Sequence, residues 1–158
     1  MRNHSSVPEV DVQSYRLSVT GMVQSPLDLS LDELRASFPA AQVMATLQCA
    51  GHRRNELSAL QPIPGEIPWG ADATSTAIWR GVPLREVLLT AGIAPGAQHV
   101  AFLGLDTMEH EGEPSGFGGS IPLEKALSAE TPPPPISTFL RTIVMPLPAR
   151  KGTSSAFF

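Results

Sequence analysis

The chain has 158 residues, one domain's length, with 42% hydrophobic residues, enough for a core. Charged residues are 16% and the net charge is −4, which excludes a cation-rich nucleic-acid binder, and the single cysteine excludes an internal disulfide or an all-cysteine zinc site. Sixteen prolines and 13 glycines make the chain turn-rich, below the roughly 25–30% that marks a disordered composition.

In chain order, Tyr15–Gly21 alternates apolar and polar residues and ends at glycine, which predicts a half-buried strand. Ser30 and Glu33 have the spacing of a capping box, with Leu31, Leu34 and Phe38 at helical intervals, so a short helix is expected over Leu31–Ser37. Gln42–Gln48 reads as a second strand running into Cys49-Ala50-Gly51, and the polar burst His52–Glu56 and a Pro-rich loop over 61–70 follow. Pro83 opens a helix that Gly92 should end. Val100–Leu103 is a short apolar run of the kind a buried strand shows, Glu111–Ser120 with four glycines reads as a loop, and Ile121–Leu127 suits a helical turn or two. Past Glu130 come four consecutive prolines, Pro132–Pro135, and the stretch Ile136–Phe158 shows no period that assigns it a structure. The longest apolar run, near Val87–Ala94, is broken by Thr90 and Gly92 and is far short of the ~20 residues of a membrane helix. With no apolar leader core after Met1, a soluble chain is expected, its compartment left open.

Two chemical candidates stand out. Cys49 sits where a strand gives way to a tight turn, and His52, Arg53 and Arg54 follow at once; nearby cations favour the thiolate, the form that attacks or binds metals. By spacing alone, a lone cysteine is more often an inert small hydrophobe. Arg53 and Arg54 could grip an oxyanion through bidentate hydrogen bonds, or form a solvated surface pair bonded to Glu56. The histidines His4, His52, His99 and His110 are not paired at metal-ligand spacing, and His99 suits a structural place at a strand edge. Neither a G-x-S-x-G elbow nor a phosphate-cradling P-loop is present, and Gly116-Phe117-Gly118-Gly119 lacks the strand-before, helix-after setting of a dinucleotide fingerprint.

The segment Thr46-Leu47-Gln48-Cys49-Ala50-Gly51-His52-Arg53-Arg54 resembles the signature of the sulfite oxidase family's molybdopterin domain. Co-linear with it, Arg2-Asn3-His4, Trp69-Gly70, Ser75-Thr76-Ala77, Trp79–Leu84, Gly104-Leu105-Asp106 and Gly118–Leu123 resemble further blocks of that family. Two positions depart from the pattern: His52 stands where the family has Asn, and Lys151, in a stretch resembling the family's "PLPxxHG", stands where it has a cofactor-binding His.

The resemblance implies an α+β fold of irregular mixed sheets and short helices, with residues 1–130 as the N-terminal portion of a molybdopterin-binding domain and 131–158 as a divergent Pro-rich tail. It implies a molybdenum-molybdopterin cofactor whose metal takes Cys49 as ligand, with Arg2, Asn3, His4 and Asp106 holding the pterin. Arg2 and Arg54 would bind the oxyanion. The reaction implied is oxidation of sulfite to sulfate, with electrons passed to a haem protein or oxygen. The molybdenum domain of a nitrate reductase and a non-catalytic remnant of such an enzyme are the alternatives.

Overall fold

The computed structural model describes residues 8–106, 108–110, 113–115, 118–129 and 140–145; in the strands at 108–110, 113–115 and 140–145 the backbone alone is described. Its first strand, β1 (Arg16–Gly21), pairs antiparallel with β2 (Leu27–Ser30), and β2 feeds directly into helix α1 (Leu31–Ser37). The expected capping box is made in full: the Ser30 hydroxyl accepts from the Glu33 amide at 3.1 Å, and Glu33 Oε2 accepts from the Ser30 amide at 2.8 Å. Next come β3 (Ala41–Gln48), helix α2 (Arg54–Leu60), β4 (Thr74–Gly81) and helix α3 (Leu84–Ala91). The chain continues through β5 (His99–Gly104), β6 (Met108–His110), β7 (Glu113–Ser115), β8 (Gly118–Pro122), helix α4 (Leu123–Leu127) and β9 (Leu140–Met145).

Three sheets result among the described residues, and the class is α+β as the family pattern implied. The largest has the order β2-β1-β9-β5-β8 and is mixed, because β9 runs parallel to β1 and antiparallel to β5. The strands β3 and β4 form their own antiparallel pair, in register from Ala41 opposite Gly81 to Gln48 opposite Thr74. A third, short pair joins β6 to β7.

The core lies between the five-stranded sheet and the helices α3 and α4. Leu84, Val87, Leu88 and Ala91 repeat at helical intervals along one face of α3 and are buried, against Val19 of β1, Val100 of β5 and Ala126 of α4. The helix ends at Gly92, with φ at 69° and its amide turned to the Leu88 and Leu89 carbonyls. Of the apolar run in β5, Val100 alone is fully buried, while Leu103 is exposed.

Three expectations change. The glycine-rich stretch Glu111–Ser120 is not simply a loop, since it contains β7 and the start of β8. Gly118 faces Leu103 across the ladder, and a Cβ there would sit 3.1 Å from Leu103 Cδ2 and 3.3 Å from the Phe102 carbonyl oxygen, so the glycine serves close strand approach. The end of the polar burst after Cys49 opens α2, a helix whose N-cap position holds Arg53 and not the Ser, Thr, Asp or Asn that would announce it. Finally, the stretch that carries no readable period contributes β9, the middle strand of the largest sheet.

Candidate functional site

Cys49 follows the last residue of β3 and begins two interlocked turns. Its amide donates to the Ala73 carbonyl at 2.9 Å, its carbonyl accepts from the His52 amide at 3.0 Å, and the Gly51 carbonyl accepts from the Arg54 amide at 3.0 Å. The thiol is exposed, and the Gly51 amide donates to its sulfur at 3.3 Å. Gly51 itself is buried, and a Cβ there would lie 2.8 Å from Trp69 Cδ1 and 3.0 Å from Arg54 Cζ and Nη2, so no larger residue fits without displacing them.

The segment Glu66–Gly70 is strapped across this turn. The Arg53 amide donates to the Gly70 carbonyl at 2.9 Å and the Asn55 amide to the Trp69 carbonyl at 3.0 Å. Arg54 Nη1 reaches the Ile67 carbonyl at 3.1 Å and Glu66 Oε2 at 2.6 Å. Sequence reasoning missed Glu66: it sits in a loop with no periodicity, and no spacing rule joins it to a residue twelve positions earlier.

The two arginines do not converge on one point. Arg53 occupies the left-handed region, with φ at 60°, and grips Glu56 with both ends of its guanidinium, at 2.7 and 2.6 Å. The Arg53 hydrogen bond holds the Glu56 carboxyl below its ordinary value, with smaller help from the charges of Arg53 and His52. Arg54 instead folds inward, its side chain 20% exposed, with its charge met by Glu66. The surface-pair reading thus describes Arg53, while Arg54 is the guanidinium beside the Cys49 turn. Among the described residues, His52 Nδ1 and His99 Nδ1 are buried with no hydrogen-bond partner.

Asp106 is half-buried two residues beyond β5, and so follows the five-stranded sheet, whereas Cys49 and Arg54 follow the separate β3–β4 pair. Beside Asp106, Leu105 helps line a cavity of about 480 Å³ together with Glu9, Asp11, Tyr15 and Arg16. Arg2, Asn3 and His4 lie outside the described residues, as does Lys151. Among the described residues, no group of three His, Cys, Asp or Glu side chains could hold a metal, and no helix is long and apolar enough to cross a membrane.

Comparison with known proteins places these residues in context. The family model described as the oxidoreductase molybdopterin binding domain matches residues 4–132. The chain is 50% identical over 132 residues to sulfite oxidase of Gallus gallus, a match covering 80% of this chain and 28% of that protein. It is 42% identical over 130 residues to nitrate reductase [NADH] 1 of Oryza sativa subsp. japonica, covering 80% of this chain and 14% of that protein. Among solved structures, the sulfane dehydrogenase SoxCD from Paracoccus pantotrophus superposes with a TM-score of 0.65 at 22% identity, over 90% of this chain and 36% of that one, a likeness of fold. The chain therefore spans well under a third of the length of these two curated relatives.

Proposed function

The chain belongs to the oxidoreductase molybdopterin-binding domain family, and from that premise we propose that it carries part of a molybdenum-dependent sulfite-oxidising site, with Cys49 as the metal's protein ligand. The observation that carries this reading is the exposed Cys49 thiol at a strand end, with the Gly51 amide on its sulfur and the Arg54 guanidinium packed under the same turn. Such a donor fits the group, because molybdenum favours soft thiolate ligands and the turn leaves the sulfur open to solvent.

When bound, the molybdenum-molybdopterin cofactor supplies the two-electron redox chemistry, and the protein's part is position and charge. Cys49 would hold the metal through Sγ, and the Gly51 amide would steady the sulfur's negative charge. Gly51, Trp69 and Arg54 pack too closely for the turn to shift easily, which keeps the sulfur in place. Arg54 would neutralise and orient a small oxyanion, an electrostatic clamp shared with Arg2. Arg2, Asn3, His4 and Asp106 are assigned to the pterin, with a haem protein or oxygen as the electron acceptor. Sulfite is preferred to nitrate on the 50% identity to the sulfite oxidase of Gallus gallus; the sulfite oxidase of Mus musculus, at 43%, is level with the nitrate reductase, at 42%.

The test is metal analysis of chain purified from cells supplied with the cofactor. Wild type should retain about one molybdenum per chain, and Cys49→Ser should keep the pterin-held metal but show one sulfur ligand fewer by X-ray absorption and lose sulfite turnover, since a hard hydroxyl does not replace a soft thiolate. An unchanged sulfur count at the metal in Cys49→Ser would end the ligand assignment. Assays with sulfite and with nitrate then decide the substrate.

A further inference from the structure

Arg54 already has an anion on it. Glu66 Oε2 sits 2.6 Å from Arg54 Nη1, and the same nitrogen donates to the neighbouring Ile67 carbonyl at 3.1 Å. The carboxylate is 55% exposed while the guanidinium side chain is 20% exposed, so Glu66 approaches from the solvent side onto a largely covered cation. The other arginine of the turn, Arg53, is committed to Glu56 through both its ends. A second anion approaching Arg54 therefore meets a guanidinium whose charge is already balanced, and gains its full attraction only by pushing Glu66 aside.

We infer that Glu66 is a built-in competitor for the oxyanion at Arg54, a residue that sets how tightly this site holds its anion. The inference rests on the reading of Arg54 as the oxyanion clamp. The contact is of a kind that can yield: an ion pair with one partner half in water is weak, and an exposed glutamate on a loop can swing into solvent. The site would thus be held in one arrangement while empty and open to exchange when an oxyanion arrives. The same pairing ties Glu66–Gly70 to the Cys49 turn, so release of Glu66 leaves the strap held by the Ile67, Trp69 and Gly70 carbonyls.

The test is isothermal titration of the full purified chain with sodium sulfate, at ionic strength held constant with chloride, for wild type, Glu66→Gln, Arg54→Gln and the double variant. Glu66→Gln keeps the size and one acceptor oxygen but removes the charge, and should tighten sulfate about two- to fivefold, the span of a partly exposed ion pair expressed as affinity. Arg54→Gln should weaken sulfate by about tenfold or more, and in that background Glu66→Gln should change nothing. If Arg54→Gln weakens sulfate while Glu66→Gln leaves it unchanged or weaker, Glu66 is only a structural tie and this inference is overturned, with the clamp intact. If Arg54→Gln leaves sulfate unchanged, the clamp itself is wrong, and the competitor falls with it.

Discussion

At the scale of single residues, the turn after β3 is controlled by what Gly51 lacks. A methyl group there would have to occupy space held by Trp69 Cδ1, 2.8 Å away, and by the Arg54 guanidinium at 3.0 Å. Gly51→Ala should therefore force Trp69 or Arg54 outward and destabilise the chain by about 1–3 kcal/mol, the usual cost of overpacking. Thermal melting would read the loss, and a shift in tryptophan emission, measured in a Trp79→Phe background so that Trp69 alone emits, would locate it at Trp69. An unchanged melting temperature and spectrum would mean that the turn absorbs a Cβ freely. The glycine was legible in the sequence as a turn residue, but the reason for it was not. The constraint comes from Trp69, eighteen positions on, whose approach is a tertiary event.

Elements carry the next level of control. Helix α1 is short, and its start depends on the reciprocal bonds between Ser30 and Glu33. Ser30→Ala should cost about 1 kcal/mol, as loss of a helix cap typically does. The same box makes a pH prediction. Bonds from the Ser30 amide and hydroxyl hold the Glu33 carboxyl below its ordinary value of 4.5, with the Arg16 charge a smaller contributor. A carboxyl whose folded value is depressed stabilises the fold above its ordinary value and loses that contribution as pH falls through the folded one. Stability measured by denaturant titration should thus decline below about pH 4.5, and Glu33→Gln should flatten that part of the profile. A slope identical in the variant would remove Glu33 from the account. Helix α1 was fully readable because its signals are local, whereas α2 was not, since its first turn relies on the Arg53–Glu56 clasp and on backbone bonds to the Trp69–Gly70 segment.

For the molecule as a whole, the decisive strand is β9. It lies between β1 and β5, so it alone joins the β1–β2 pair to the β5–β8 pair within the sheet. A chain ending at residue 139 would leave the facing edges of β1 and β5 unpaired, with backbone groups that must find water or another partner. Such a chain should melt at lower temperature with a broader transition than the full chain and should associate, readable by circular dichroism and light scattering. A monomeric chain melting as sharply as wild type would show that α3 and α4 hold the two halves together unaided.

What the sequence determined by itself are the features written within a few neighbouring residues: the capping box of α1, the strand running into Cys49, the proline and glycine that bracket α3, and the Cys49–Arg54 motif that carries the family resemblance. These depend on bonds and periods that close over short spans of chain. Tertiary structure alone decided that β9 completes the largest sheet, that Gly118 lets β8 approach β5, and that Arg53 and Arg54 part company. Each of these rests on a partner distant in sequence: β1 for β9, Leu103 for Gly118, Glu66 for Arg54. Neither composition nor period encodes such partners: β9 and Gly118 meet theirs as burial of Val19, Leu88 and Val100 brings the five-stranded sheet and its helices together, and Arg54 meets Glu66 where the 66–70 strap crosses the Cys49 turn.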